Sequence, residues 1–271
     1  MIQIQNLKVT FAANTPLEKS VFTDFSITVP AGQFVTVIGS NGAGKSTLLN
    51  TLSGDVSPKN GLQKGQVMIA GYDVTHQNVA QRAKLISRVF QNPLAGSCAE
   101  LTVEENLVLA QNRARRLGLR SATSRKNRQQ FRDRLATLGL GLENRLSDRM
   151  GLLSGGQRQA LSLVMATLAP TQVLLLDEHT AALDPKTAKY ILELTTALVT
   201  EQTLTTLMVT HSMQQAIELG DRLLMLHEGK PVLDISGPEK KSLTVNTLLK
   251  AFTHQSHQTT QDVADDALLL G

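Results

Sequence analysis

The chain has 271 residues, of which 41% are hydrophobic, so it is long enough to bury a sizeable core. Its single cysteine, Cys98, excludes an intrachain disulfide and fits a reducing compartment. No apolar run reaches the length of a membrane span, and residues 1–4 lack the basic leader and apolar stretch of a signal peptide. We therefore expect a chain that does not itself cross a bilayer.

Apolar residues with strand spacing open the chain and predict a sheet in its N-terminal part. The residues that carry this pattern are Ile2, Ile4, Leu7 and Val9, followed by Phe25, Ile27 and Val29. Val67 and Ile69 predict strand structure in another sheet. We expect these strands to flank a central core.

A glycine-rich loop follows the apolar run at residues 34–38, which predicts a buried strand. Its sequence, Gly39-Ser40-Asn41-Gly42-Ala43-Gly44-Lys45-Ser46, matches the whole pattern G-x-x-x-x-G-K-[ST], and a helix is predicted to begin near Lys45. A strand before the loop and a helix after it are the context that a phosphate-binding loop requires. A chance match is expected in roughly one of a hundred chains of this length.

The residue types in this loop suit a triphosphate. Its glycines let backbone N–H groups turn inward around phosphate oxygens, and the following helix N-terminus adds partial positive charge. Lys45 can reach the β- and γ-phosphates, and the Ser46 hydroxyl can ligate Mg²⁺. We include the next residue, Thr47, among the nucleotide-binding residues.

Three further strand ends carry polar side chains. Gln91 follows the strand-like residues 86–90, Asp177 and Glu178 end the apolar run at 173–176, and His211 follows residues 207–210. We predict Asp177 on the Mg²⁺ shell, Glu178 as general base beside the attacking water, His211 near the γ-phosphate and Gln91 sensing metal and water. A single His or Gln at a strand end is more often structural, so these roles depend on the other motifs.

A helical pattern occupies residues 103–150, and a basic run lies within it. Its members are Arg113, Arg115, Arg116, Arg120, Arg125, Lys126, Arg128, Arg132 and Arg134. Attraction to anionic lipid or to nucleic acid would explain such a run. The net charge of only +4 and the aromatic content of 3% favour a solvated helical face instead.

The motifs together resemble the ATPase domain of ATP-binding-cassette (ABC) transporters. The phosphate loop (Walker A), Gln91, Leu153-Ser154-Gly155-Gly156-Gln157, Asp177-Glu178 (the end of Walker B), Ala182-Leu183-Asp184 and His211 occur in the family's order and approximate spacing. The resemblance covers residues 1–236. It implies an α/β fold: a P-loop nucleoside triphosphatase core with a mainly parallel sheet, an antiparallel β subdomain and a helical subdomain inserted at about 93–158. Residues 237–271 are predicted to form a helix at 240–252 and a flexible tail.

The resemblance also implies a composite site for ATP and Mg²⁺. In the family, the segment of Ser154, Gly155, Gly156 and Gln157 caps the nucleotide held by the other subunit of a head-to-tail dimer. Ser154 has the character of a helix N-cap, which would aim a second helix N-terminus at phosphate. Asp184 is expected at the subunit contact. Phe11 lies where the family often stacks an aromatic ring on adenine, although a core residue at the sheet edge fits Phe11 equally well.

By the same resemblance, we expect the ATPase subunit of a bacterial importer on the cytoplasmic side of the inner membrane. A separate integral-membrane permease would dock in a groove beside Gln91, a solute-binding protein would supply cargo, and nucleic acid is not expected. Similarity around residues 174–187 and 204–211 to cassettes associated with aromatic amino-acid binding proteins suggests tryptophan or tyrosine as cargo. Two alternatives stay open: an ABC ATPase of a soluble metabolic or nucleic-acid-processing complex, and a non-catalytic nucleotide-sensing scaffold.

One residue departs from the family pattern. His179 follows Glu178 at a position where many members carry proline or a small residue. We favour a tolerated loop residue there over a titratable neighbour that modulates the ionisation of Glu178, because adjacency in sequence does not establish a hydrogen bond.

Overall fold

A computed structural model describes residues 1–56, 61–113 and 125–255. The strands are β1 (Ile2–Phe11), β2 (Lys19–Val29), β3 (Phe34–Gly39), β4 (Leu62–Ile69), β5 (Tyr72–Asp73), β6 (Ile86–Val89), β7 (Val173–Asp177), β8 (Thr205–Val209), β9 (Arg222–His227) and β10 (Lys230–Ser236). The α-helices are α1 (Lys45–Ser53), α2 (Val79–Arg82), α3 (Val103–Gln111), α4 (Arg125–Ala136), α5 (Gly155–Leu168), α6 (Pro185–Gln202), α7 (Met213–Glu218), α8 (Gly237–Lys241) and α9 (Val245–Gln255).

The N-terminal strands form an antiparallel sheet with the order β2-β1-β4-β5. In it, β1 pairs with β2 on one side and with β4 on the other, so that Ile4 lies opposite both Ile27 and Val67. The prediction of another sheet for Val67 and Ile69 was therefore wrong. The spacing of apolar residues identifies a strand, but it does not say which edge of β1 that strand will occupy.

The central sheet has the order β10-β9-β3-β8-β7-β6, with parallel pairing from β6 through β9 and an antiparallel edge strand β10. Its parallel strands are buried on both faces, as parallel sheets usually are, whereas the edge strand β10 is exposed or half-buried. Successive residues of β7 show the two faces: Val173 and Leu175 join the core that includes the antiparallel sheet, whereas Leu174 and Leu176 pack with α5 and α6. The apolar runs of the parallel strands are thus continuous because the side chains on each face of a strand are buried in a different core.

The order of the parallel strands brings the polar strand ends together. β8 pairs with both β3 and β7, and Val209 lies opposite Val37 on one side and Asp177 on the other. Carboxyl ends of adjacent parallel strands meet at one edge of a sheet, where ligands commonly bind. The glycine-rich loop after β3, Glu178 after β7 and His211 after β8 therefore share that edge.

Between β6 and β7 the described chain forms α3, α4 and short 3₁₀ turns, followed by α5. This agrees with the predicted helical insertion, and its exact limits stay a prediction. Within the basic run, Arg113 donates to the carbonyls of Ala166 and Ala169, and Arg128 contacts Glu104 at 3.5 Å. Arg113 and Arg128 therefore have structural roles. Residues 114–124 of the run lie outside the described residues.

The predicted C-terminal helix at 240–252 is instead two helices, α8 and α9. The buried Lys240 donates to the carbonyls of Leu219 and Gly220, which ties α8 to the turn between α7 and β9. Thr244 then accepts a hydrogen bond from the Thr247 N–H at 3.2 Å and starts α9. The predicted tail beyond residue 255 lies outside the described residues. Among the described helices, none has the length and apolar character needed to cross a membrane.

Candidate functional site

The phosphate loop connects β3 to α1 and depends on glycine at defined points. Gly39, Gly42 and Gly44 have φ of 152°, 80° and 105°, a region that other residues rarely adopt. A Cβ on Gly39 would lie 2.2 Å from the Leu226 carbonyl oxygen, and one on Gly44 would lie 3.0 Å from the Phe22 ring. Gly44 also gives the N-terminus of α1 no side-chain cap. The first turn of α1 therefore leaves backbone N–H groups available to an anion, and phosphate binding by the loop stays a prediction.

Lys45 is almost fully buried, and its ammonium group lies within the loop. Lys45 Nζ donates to the Gly39 carbonyl at 2.6 Å and to the Ser40 carbonyl at 3.0 Å. Ser46 is exposed beside it. The lysine is thus held against the loop in which phosphate would bind.

A pocket of about 160 Å³ lies over this loop. It is lined by Asn41, Gly42, Ala43, Gly44, Lys45, Ser46, Thr47, Glu178 and His211, with Lys19 and Val21 of β2 at its side. The structure therefore brings the predicted loop, general base and histidine into one cavity. Lys19 and Val21 were not predicted, because their place depends on how the antiparallel sheet packs beside the loop.

Glu178 and His211 contact each other directly at the end of the sheet. Glu178 Oε1 and His211 Nε2 are 2.6 Å apart, and both side chains are mostly buried. Glu178 has φ of 47°, and its N–H donates to the Val209 carbonyl at 3.0 Å. A non-glycine residue held in this conformation at a strand end is typical of functional sites. The backbone thus fixes the carboxylate toward the pocket and toward the imidazole.

Asp177 and Gln91 do not line this pocket. The Asp177 carboxylate accepts from Arg88 Nη2 at 2.6 Å, and Gln91 is exposed beyond the end of β6. The predicted metal and water-sensing roles of these two residues stay predictions. Phe11 ends β1 opposite Lys19 and packs, partly buried, against the core. It does not line the pocket either, so its stacking on adenine also stays a prediction.

The oxygen donors of Ser46, in the loop, and Asp177, at the end of β7, have the chemistry that Mg²⁺ prefers. Ser46 and Asp177 would supply hard oxygen ligands, whereas no cluster of three His, Cys, Asp or Glu side chains suited to a metal occurs among the described residues. Mg²⁺ typically combines one or two protein oxygens with substrate phosphates and water, so a sparse protein ligand set is what it needs. When bound, Mg²⁺ would neutralise charge on the β- and γ-phosphate oxygens.

The segment at residues 153–157 lies outside this pocket and is held by local hydrogen bonds. Ser154 is the N-cap of α5, as predicted, and it also forms a capping box with Gln157. Gln157 also donates to the Leu140 carbonyl and accepts from Arg145. Ser154 is exposed, and the neighbouring Leu152 is 69% exposed. The segment thus presents a helix N-terminus at the surface.

The start of α6 packs directly against that helix N-terminus. A Cβ on Gly156 would lie 2.4 Å from Thr187 Cγ2, so only glycine fits there without a shift. Asp184 caps α6 by accepting from the Thr187 N–H at 3.1 Å. Hydrogen bonds from the Thr187 side chain and, next, from its backbone N–H lower the pKa of Asp184. Gly156 and Asp184 therefore meet at Thr187.

Comparison with known proteins identifies the family. A family model described as "ABC transporter" matches residues 22–181, which include the phosphate loop, the 153–157 segment and Glu178. A tyrosine transport ATP-binding protein of Clostridioides difficile (strain R20291) is 44% identical over 94% of this chain and 99% of its own length. The chain belongs to the ABC transporter family.

Other ABC transporter relatives agree. The cassette is 35% identical to a thiamine import ATP-binding protein of Brucella abortus, over 81% of this chain and 84% of the relative. A solved ATP-binding cassette, described as a dimeric post-hydrolysis state bound to ADP and Pi, matches with a TM-score of 0.73 and 25% identity, covering 87% of this chain and 98% of that one. The cassette is thus an ATP-binding, ATP-hydrolysing subunit that serves transport.

His179 has a different role in the cassette from either one predicted. It is 2% exposed, and its Nε2 is 3.0 Å from Thr195 Oγ1 on α6, while the carboxylate of Glu178 contacts His211 instead. Burial lowers the pKa of His179 to about 4. His179 is therefore a neutral, buried anchor between the Glu178 loop and α6, and not merely a tolerated loop residue.

Proposed function

We propose that the chain is the ATPase subunit of a bacterial ABC importer and works as a head-to-tail dimer. One observation carries the proposal: the pocket holds the phosphate loop, Glu178 and His211, while the surface helix N-terminus at Ser154 lies outside it. A second copy related by a two-fold axis would bring its Ser154 segment over the first copy's loop. Two composite sites would result, each with ATP between the subunits.

The chemistry at each site follows from the contacts. Lys45 and the loop N–H groups bind the phosphates and hold them for in-line attack. Glu178 accepts a proton from the attacking water, and His211 orients that carboxylate through the 2.6 Å contact. Ser46 and Asp177 would hold Mg²⁺, and Gln91 would contact the same region. Asp184 and Gly155 would lie at the subunit contact.

Loss of the γ-phosphate after hydrolysis removes contacts that only the closed dimer makes. The equilibrium then shifts toward the open state, so the nucleotide cycle alternates the distance between subunits. A protein bound to the surface of both subunits would be moved as the distance between the subunits changes. By reciprocity, that protein would also shift the equilibrium between the open and closed dimer. This coupling is what a transporter needs.

The proposed partner is a separate membrane permease that docks in a groove of about 520 Å³ beside the Gln91 loop. Apolar side chains of Phe90, Leu109 and Met165 line it together with Arg88 and Arg113. Leu109 is 40% exposed there, which suits an apolar helix end from a partner. The cassette would then lie peripherally on the cytoplasmic side of the inner membrane.

The cargo is proposed from similarity. The relative at 44% identity is described as a tyrosine transport protein, which supports an aromatic amino acid, tyrosine or tryptophan, delivered by a solute-binding protein. The cassette is not expected to contact cargo. Three residues of the basic run, Arg113, Arg128 and Arg134, make contacts within the chain, and this favours a structural role for them over contact with nucleic acid.

Co-purification from detergent-solubilised membranes tests this assignment, with a matched pair of variants. Leu109→Glu places a charge in the groove, whereas Leu17→Glu changes a leucine that is 82% exposed elsewhere. We expect a multi-span membrane protein to accompany the parent chain and Leu17→Glu, and Leu109→Glu to lose it while still binding ATP. Recovery of only a soluble enzyme or nucleic acid would contradict the transporter assignment.

A further inference from the structure

Arg88 lies between two carboxylates on opposite sides of its guanidinium group. Its Nη2 donates to Asp177 Oδ2 at 2.6 Å, and its Nη1 lies 3.3 Å from Asp55 Oδ2. Nη1 also donates to Asn50 Oδ1 of α1 at 2.7 Å. The Arg88 and Asp177 side chains are only 11% and 16% exposed, so water screens their contact weakly.

Arg88 is also part of the groove surface. Its guanidinium carbon lies 4.7 Å from the centroid of the Phe90 ring, and Arg88, Phe90 and Asp55 all line the groove. The loop after β6 packs on the same ring, since a Cβ on Gly96 would lie 3.3 Å from it. One side chain therefore reaches from the groove to the carboxylate at the end of β7.

This contact puts two cations in competition. Asp177 is the carboxylate that would serve Mg²⁺ in the proposed function, and an arginine in contact with it already neutralises its charge. A second cation gains less from a carboxylate that is already paired. Arg88 has an alternative anionic partner in Asp55, so it can release Asp177 without losing every charge partner.

We propose that Arg88 is a positioning residue that sets how readily Asp177 accepts the metal of the bound nucleotide, with Asp55 as the alternative partner of its guanidinium group. The proposal rests on the proposed ATPase site. Metal binding at Asp177 shifts Arg88 toward Asp55 and the Phe90 ring. By reciprocity, an occupant of the groove that holds Arg88 away from Asp177 strengthens metal binding.

The test measures metal-dependent binding and not turnover. In the whole chain carrying Glu178→Gln, a variant expected to hydrolyse ATP slowly, ATP dissociation constants are measured in EDTA and in excess Mg²⁺. The protein concentration is kept where light scattering shows a monomer. The dissociation constant in EDTA divided by that in Mg²⁺ reports how much the metal strengthens ATP binding. Arg88→Met should raise the ratio about threefold or more, and Asp55→Asn should lower it, because the arginine then pairs with Asp177 alone.

Two controls separate this role from a general effect on structure. Arg88→Lys, which keeps a cation, should stay closer to the parent ratio than Arg88→Met. Arg113→Met removes another cation of the same groove that donates to the Ala166 and Ala169 carbonyls, and it should leave the ratio unchanged. ATP binding in EDTA should be equal in all variants.

An unchanged or lower ratio in folded Arg88→Met overturns the proposal. If that variant does not fold, Asp55→Asn decides alone, and a ratio equal to or above that of the parent overturns it. Failure of the parent chain to bind ATP would instead overturn the proposed function on which this inference rests.

Discussion

The Glu178 carboxylate and the His211 imidazole are in contact at 2.6 Å, although they are far apart in the sequence. The contact forms because β7 and β8 are adjacent and parallel, so both side chains leave the same edge of the sheet. His211 contacts one carboxylate oxygen of Glu178, and both side chains line the same pocket as the phosphate loop. The second carboxylate oxygen can therefore orient a water molecule toward bound phosphate.

Replacement of Glu178 should separate binding from hydrolysis. In Glu178→Gln, we expect ATP affinity close to that of the parent and turnover reduced by about 10²- to 10⁴-fold, because an amide accepts no proton at neutral pH. Steady-state phosphate release and equilibrium ATP binding measure the two quantities. Turnover like that of the parent would remove Glu178 from the role of general base.

Replacement of Lys45 should affect binding itself. Lys45→Ala removes the ammonium group held by the Gly39 and Ser40 carbonyls, and a charge-assisted hydrogen bond contributes roughly 1.5–3 kcal/mol. We expect ATP affinity to fall about tenfold or more. Lys19→Ala is the matched control, since Lys19 lines the same pocket outside the loop and should have a smaller effect. Unaltered ATP affinity in Lys45→Ala contradicts the loop assignment.

A methyl group at Gly156 should disturb the start of α6. The Cβ of Gly156→Ala would lie 2.4 Å from Thr187 Cγ2, and overpacking of this kind costs about 1–3 kcal/mol of the free energy of unfolding. Thr187→Ser deletes that methyl group and should restore most of the loss in the double variant. Urea unfolding measures each value.

Gly155→Ala is the control for this prediction, because its Cβ would lie 3.7 Å from Leu183 Cδ2, an ordinary contact. Equal stability of Gly156→Ala and Gly155→Ala, or no recovery in the double variant, would show that the contact with Thr187 does not limit the size of the residue at position 156.

His179 should make stability depend on pH. Its pKa is lowered to about 4 in the folded chain, against an ordinary value of 6.5. As pH falls below 6.5, the unfolded chain takes up a proton that the folded chain does not, so stability is lost between pH 6.5 and 4. In EDTA, His179→Gln should lack this part of the loss, on the order of 2–3 kcal/mol. Parallel profiles of unfolding free energy for parent and variant would contradict the burial of a neutral imidazole.

Local signals in the sequence predicted the centre of the site. The apolar run of β3, the glycines of the loop and the capping pattern of Ser154 each act within a few residues, and each is confirmed by the structure. The same holds for the strand before Asp177, because a strand buried on both faces needs an uninterrupted apolar run.

The contacts that the sequence did not predict join residues that are far apart along the chain. Arg88 and Asp177 are 89 positions apart, and nothing near either residue indicates the other. The contact of His179 with Thr195 depends on how α6 lies over the sheet, and the place of Lys19 depends on how the antiparallel sheet meets the loop. The position of α8 depends on Lys240, which is buried against the carbonyls of Leu219 and Gly220, about 20 positions away.

The composite site between two copies is tested most directly by a disulfide that only two different chains can form. In a Cys98→Ser background, one chain carries Asn41→Cys and the other carries Ser154→Cys; all three native residues are exposed. With Glu178→Gln in both chains, ATP and Mg²⁺ should produce the crosslinked pair, and it should not form without nucleotide. Absence of the crosslink while both chains bind ATP would contradict a nucleotide held between the loop of one copy and the Ser154 segment of the other.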